Sequence, residues 1–245
     1  MRLERLYPGP TEGIDGDDRD ALLELYRPPL ARWLRLNLIT SVTGAASGTD
    51  GTSETLTNPV DRRILGVIRE LADVVLIGAQ TLRAESYLQP RRSRLAVVTS
   101  SGDLGGHRIE ASDGAAPIVI CTESAVATAK QSLPQAEYLV VGVSHLDKLD
   151  NRGSTTGIAP ADIIQALRDN GQQSIVCEGG PSLASQLVDA GLVDEFCLST
   201  AARIGGAPFP VLGSSAIAER DVVLSQLLRD EASSLYARWV LQASS

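Results

Sequence analysis

The stretch richest in chemical possibility is Ser174-Ile175-Val176-Cys177-Glu178-Gly179-Gly180-Pro181-Ser182-Leu183. A short apolar run, two glycines and a helix opening predict a strand, a tight turn and a helix. Glycine has no Cβ to keep a ligand from the backbone. Pro181 suits the first helical turn, where one amide is unpaired in any case. The amides of Gly180, Ser182 and Leu183 then point at whatever lies above the turn, and such a helix N-terminus is suited to an anion, a cofactor pyrophosphate among them. A plain strand-to-helix connection has the same pattern, so this stretch does not decide the matter alone. A second glycine turn, Gly78-Ala79-Gln80-Thr81, closes the apolar run Asp73-Val74-Val75-Leu76-Ile77. A third feature is the helix start Asn58-Pro59-Val60-Asp61, with Asn as cap, Pro at the first position and Asp in the first turn.

Around these turns the charge is uneven. Residues 61–94 hold arginines at 62, 63, 69, 83, 91, 92 and 94 against Asp61, Glu70, Asp73 and Glu85, a basic island in a chain of net charge −8. Overall acidity argues against nucleic acid as the partner. The island points to a small anionic ligand. Protein groups for acid–base work are few. The only histidines, His107 and His145, sit in loop-like surroundings, and Cys121, Cys177 and Cys197 lie far apart in apolar runs. No metal cluster and no Ser-His-Asp triad is expected from them. If the chain is an enzyme, a cofactor carries the reaction.

The elements that would position these residues alternate along the chain. Trp33 to Ile39 reads as a strand with Leu34, Leu36 and Leu38 on one face. Helices are predicted from Asp20 to Tyr26, from Asn58, and over Glu123–Ser132, Pro160–Asn170 and Pro181–Ala190. Further strands are predicted at Leu95–Thr99, Pro117–Cys121, Tyr138–Val143 and Ser174–Cys177. Ser101–Ala115 and Asp147–Gly157 read as loops. The alternation predicts an α/β fold with a mostly parallel central sheet and helices on both faces. Beyond Gly191, Asp194–Thr200 and Leu235–Leu241 follow without a clear helix between them, so an antiparallel C-terminal edge is expected. Residues 1–29, rich in Gly, Pro and Asp, read as an N-terminal arm, and residues 30–245 as one domain. A hydrophobic content of 43%, a mean hydropathy of +0.03 and no apolar run of membrane-spanning length imply a soluble chain. The N-terminus lacks the apolar core of a signal peptide, which implies the cytoplasm.

Taken together, these stretches resemble the pyrimidine reductases of riboflavin biosynthesis, a family with a dihydrofolate-reductase-like fold, from about Trp33 to Val240. Asn37-Leu38-Ile39-Thr40-Ser41-Val42-Thr43-Gly44 is similar to the family's opening strand, which usually ends Ser-x-Asp-Gly. Thr57-Asn58-Pro59-Val60-Asp61-Arg62, with Arg69 beyond it, is similar to its phosphate-contacting helix start. Asp73 to Glu85 is similar to Asp-Ala-x-Leu-x-Gly-x-x-Thr followed by an acidic residue. Glu178-Gly179-Gly180-Pro181-Ser182-Leu183, followed by Gly191-Leu192-Val193-Asp194-Glu195, is the most specific of the four.

The resemblance implies a stand-alone reductase that takes hydride from NADPH and turns the ribosylamino group of a phosphorylated aminopyrimidine into a ribitylamino group. It implies cofactor contacts at Gly78, Thr81, Glu85, Glu178, Gly179, Gly180, Ser182 and Leu183, with Thr99 and Ser100 on the adenosine-phosphate side and Ile158 nearby. It implies substrate contacts at Asn37, Ser41, Thr43, Thr57 and Arg62, the last binding phosphate through a forked guanidinium. A homodimer is also implied, with Phe196-Cys197-Leu198 and Trp239-Val240-Leu241 as stretches that extend toward a second copy. Two positions depart from the pattern. Thr43 stands where the family has aspartate, and a threonine cannot act as an acid at neutral pH. Glu85 stands where aspartate is usual. No His-x-Glu and Pro-Cys-x-x-Cys zinc signature of a deaminase is present. A pterin- or dihydrofolate-type reductase and an idle NADP-binding protein stay open as alternatives.

Overall fold

The computed structural model describes residues 2–9, 13–84, 90–107, 109, 115–143, 157–213 and 217–242. Glu85, His145 and nearly all of the predicted 147–157 loop lie outside them. Among the described residues, eleven strands form one sheet in the order β2-β1-β10-β11-β9-β3-β8-β4-β5-β6-β7. They are β1 Arg2–Tyr7, β2 Ile14–Asp15, β3 Trp33–Ser41, β4 Val74–Gly78, β5 Arg94–Thr99, β6 Ile118–Cys121, β7 Glu137–Val140, β8 Ser174–Cys177, β9 Glu195–Ala201, β10 Val222–Asp230 and β11 Leu235–Leu241. From β9 to β7 every pairing is parallel, and from β9 outward through β11, β10, β1 and β2 every pairing is antiparallel.

Among the described residues, six helices flank the sheet: α1 Arg19–Tyr26, α2 Pro59–Glu70, α3 Ala79–Ala84, α4 Glu123–Ser132, α5 Pro160–Asp169 and α6 Pro181–Asp189. One face carries a core in which Leu22 and Tyr26 of α1, Ile64 and Ile68 of α2 and Ala129 of α4 meet Val75, Val97, Val119 and Val176. On the other face Ile163 and Leu167 of α5 and Leu183 and Leu187 of α6 meet Leu34, Leu36, Leu76 and Ile175. The uninterrupted runs of β4 and β8 make sense here, because a strand with helices on both faces buries every side chain. Helix α2 starts where expected: Asn58 caps it by accepting from the Asp61 amide at 2.9 Å, with Pro59 at the first position.

Two parts of the sheet differ from the sequence reading. The N-terminal arm contributes β1, paired with β10 at Leu3↔Asp230 and Glu4↔Arg229, and Leu3 is fully buried. Strand β10 fills the expected gap between β9 and β11. Its sequence, VVLSQLLRD, loses strict alternation because the register slips between Leu224 and Gln226. A buried ionic cluster clamps the arm to the sheet. Glu195 on β9 accepts from Arg35 Nε at 2.5 Å and from Arg238 Nε at 2.7 Å, while Arg35 also donates to the Tyr26 carbonyl at 2.8 Å.

Candidate active site

In a parallel sheet, ligands gather at the carboxyl ends of the strands. Here those ends form a step. Strand β8 stops with Cys177 opposite Leu36, and β4 with Leu76 opposite Cys177 ends at Gly78, while β3 and β9 run on together to Ser41 and Ala201. The taller pair makes a wall beside the lower glycine turns.

The two turns of the lower side touch each other. The Glu178 amide donates to the Leu76 carbonyl at 3.0 Å, which brings Gly179 against β4. A Cβ on Gly179 would lie 2.3 Å from Ile77 Cα and 2.7 Å from the Gly78 nitrogen, so backbone itself excludes any other residue. Gly180 has φ +64, and a Cβ there would come within 3.0 Å of Thr81 Oγ1. Gly180 is the N-cap of α6 and supplies no capping side chain, with Pro181 next. The start of α6, the hydroxyl of Thr81 and the end of β4 at Gly78 thus lie side by side. That is a cradle of the kind that suits a pyrophosphate.

The remaining expected cofactor positions differ in what they offer. Thr99 is nearly buried, and its hydroxyl accepts from the Gly102 amide at 3.0 Å, so it shapes the turn that carries half-buried Ser100. Ile158 and Leu183 are 1% and 4% exposed and belong to the core beneath α5 and α6. Only their backbones can face a ligand. The carboxylate of Glu178 takes two bonds from Arg69, at 2.8 and 2.7 Å. Arg69 therefore braces the turn. Glu85 lies outside the described residues.

The wall and the start of α2 hold the expected substrate residues. On β3, Asn37, Ile39 and Ser41 face the same way, opposite Cys197, Ser199 and Ala201 of β9. Ser41 Oγ accepts from the Ala45 amide at 3.2 Å and lies 3.0 Å from the Thr43 hydroxyl. Thr43 is exposed and accepts from the Gly205 amide at 3.0 Å. It fastens the turn after β3 to the 203–211 loop, a connection reinforced by Val42 N to Arg203 O at 2.8 Å. Arg62 is half-exposed at the mouth, ion-paired with exposed Glu54.

Behind Arg62 lies a polar cluster that the sequence did not announce. Thr57 Oγ1 donates to Asp61 at 2.6 Å, and the Ser199 hydroxyl faces the same carboxyl. The capping Asn58 donates to Asp230 at 2.8 Å, and Tyr236 donates to the same Asp230 oxygen at 2.7 Å. Burial pushes the Asp61 carboxyl above the usual carboxylate range, against the pull of the Ser199 and Thr57 hydroxyls and the Arg62 charge; neighbouring Asp230 adds to the rise. Asp61 was legible only as a first-turn acid. Its partners on β9, β10 and β11 are far away in sequence, and no local signal marks them.

Comparison with known proteins agrees with this architecture. A pyrimidine reductase-like protein from Corynebacterium diphtheriae superposes with a TM-score of 0.69 at 20% identity, over 91% of this chain and 99% of that one. The riboflavin biosynthesis reductase of Saccharomyces cerevisiae gives 0.66 at 14% identity, over 92% and 100%. A bifunctional diaminohydroxyphosphoribosylaminopyrimidine deaminase/5-amino-6-(5-phosphoribosylamino)uracil reductase from Thermotoga maritima gives 0.65 at 17% identity, over 89% of this chain but 58% of that one. No curated protein sequence matches this chain. The fold is the dihydrofolate-reductase-like α/β fold of these reductases. The model of the RibD C-terminal domain matches residues 32–233, and the chain belongs to that family.

Proposed function

We propose that this chain is an NADPH-dependent reductase of a phosphorylated aminopyrimidine, of the 5-amino-6-(5-phosphoribosylamino)uracil reductase type in riboflavin biosynthesis. The observation that carries this reading is the contact between the two glycine turns. Gly179 lets the turn close onto β4, and Gly180, at φ +64, opens α6 beside the Thr81 hydroxyl in the lower half of a stepped crevice. The residues present therefore fit a dinucleotide. Gly78, Thr81, Glu85, Glu178, Gly179, Gly180, Ser182 and the Leu183 amide would hold it, with Thr99, Ser100 and the Ile158 backbone along its adenosine side. When bound, NADPH supplies the hydride. Asn37, Ser41, Thr43 and Thr57 line the opposite wall, and Arg62 at the mouth suits a substrate phosphate.

In this reading residues 30–245 are the reductase domain, residues 1–29 complete its edge, and the protein works in the cytoplasm as a homodimer. The dimer is supported by one face of the antiparallel wing. Leu198, Leu224, Leu227, Leu235 and Trp239 share that face, are only half-buried and belong to neither core. Such a face is stabilised by covering it.

The test is loss of NADPH absorbance on addition of 5-amino-6-(5-phosphoribosylamino)uracil, and separately of dihydrofolate, with NADH run in parallel. Turnover of the aminopyrimidine with preference for NADPH is expected. Turnover of dihydrofolate alone, or tight NADPH binding with no turnover of either, would overturn the reading.

A further inference from the structure

We propose that Asp61 is the carboxyl of the substrate site: it meets the amino-heterocycle from the α2 side and carries the proton that the reduction consumes. This rests on the reductase reading above. The placement is the first argument. Asp61 accepts from Thr57 at 2.6 Å and faces Ser199, whose register partner Ile39 sits between Asn37 and Ser41 on the same face of β3. A group on α2 that reaches Ser199 therefore lies between two residues of the wall, next to Thr57.

The second argument is that the fold does not need this carboxyl. The amide of Asp61 is capped by Asn58, and Asp230, not Asp61, anchors that cap to β10 and β11. Among the described residues Asp61 has no ion-pair partner; Arg62 turns to Glu54 and Arg69 to Glu178. The Thr57 hydroxyl that bonds it favours the carboxylate, but burial outweighs that pull. A half-buried acid without a cation costs stability when ionised.

The third argument is chemical supply. When the ribosyl ring C–O bond opens, the N–H proton passes to the ring oxygen and a C=N bond forms; hydride added to its carbon then makes a C–H bond and sends the π pair to nitrogen, where one proton completes the amine. Of the described groups at the crevice, Ser41, Thr43 and Thr57 are alcohols, and Glu178 is held in a forked bond by Arg69. Asp61 is the remaining acid. Burial favours its protonated form, as does Asp230 on β10, while Arg62 opposes; the phenols of Tyr236 on β11 and Tyr26 on α1 also face it. After giving up its proton the carboxylate is recharged from solvent.

Asp61→Asn keeps the shape and a bond from Thr57 but carries no acidic proton. In the full-length protein kcat is expected to fall about 100-fold or more, with the pH dependence of kcat flattened and NADPH affinity unchanged; Asp61→Glu recovers part of the rate. Independently of turnover, the 13C carboxyl resonance of Asp61, assigned by its absence in the Asn variant, is expected to change its titration midpoint when 5-amino-6-(5-phosphoribosylamino)uracil is added. A variant with unchanged kcat and pH profile would overturn the proposal. So would a resonance that does not respond although calorimetry shows the compound bound. If the compound neither binds nor turns over, the reductase reading fails, and the role of Asp61 fails with it.

Discussion

The guanidinium of Arg69 donates two hydrogen bonds, at 2.8 and 2.7 Å, to the carboxylate of Glu178, and so fastens helix α2 to the strand end that carries the glycine turn. The Glu178 side chain is only 6% exposed, so the pair is largely desolvated. Removing one partner of such a pair leaves a buried charge without its fork. Arg69→Ala is expected to destabilise the protein by about 3 kcal/mol, read as a lower urea midpoint. Arg69→Lys should restore less than half of that, because one ammonium cannot reproduce two parallel bonds.

Gly179→Ala tests the turn itself. The added methyl group would meet the Ile77 and Gly78 backbone at 2.3 and 2.7 Å, and backbone at the end of a central strand cannot swing aside. The strand ends must separate, at a cost of about 2 kcal/mol or more. NADPH binding, followed by quenching of protein fluorescence, is expected to weaken at least ~10-fold as the cradle opens. Normal NADPH affinity in a folded variant would show that the dinucleotide does not use this turn.

Arg62→Ala separates phosphate recognition from folding. The side chain is 54% exposed and its partner Glu54 69%, so the loss of their pairing should change stability by less than about 0.5 kcal/mol. A charged hydrogen bond to phosphate is worth about 1.5–3 kcal/mol. KM for the phosphorylated aminopyrimidine is therefore expected to rise ~10- to 100-fold, with the dissociation constant of NADPH unchanged. Equal loss of both would place the phosphate elsewhere.

Asp61 also predicts a dependence of stability on pH. Its carboxyl is raised in the folded state, chiefly by burial. The sign for such a group is that its contribution is greatest below the unfolded value, near pH 4, and is lost as pH climbs through the folded value. Asp61→Asn has no such group. The variant should melt at a higher temperature than the wild type at pH 7 to 8, and the gap should close as pH falls toward 4. A carboxylate that stabilises the helix start would give the opposite order, with the variant less stable at neutral pH.

The parallel half of the sheet was legible because its signals are local. Val74 to Ile77 and Ile175 to Cys177 are apolar runs bounded by glycines, and Asn58-Pro59 and Gly180-Pro181 announce their helices with caps and a fixed φ. The antiparallel wing was only partly legible. Leu235 to Leu241 shows as a strand, but β10 slips register at Gln226, and in β1 only Leu3 is buried, so neither presents a period-two pattern. At the site, the glycines could be read because a close approach demands that residue type. The Asp61–Ser199–Thr57 and Asn58–Asp230–Tyr236 contacts could not, because each joins residues whose meeting depends on the completed sheet. The Arg69–Glu178 pair was hidden for the same reason, since its two residues stand 109 positions apart.

Strand β1 closes on β10, with Leu3 opposite Asp230, and that same Asp230 receives the side chain of Asn58 across 172 positions of sequence. Both early segments wait for a late one. At ordinary translation rates the ribosome needs roughly 10–30 s to travel from the Asn58 codon to that of Asp230. During that interval the parallel half can already be assembled, while Leu3 lacks its partner strand and the helix start beside Arg62 lacks its anchor. The nascent chain therefore passes through a species with an open sheet edge and an unanchored start of α2. Both defects are repaired together when β10 docks through β11, so the start of α2 is fixed only once these late strands have joined the sheet.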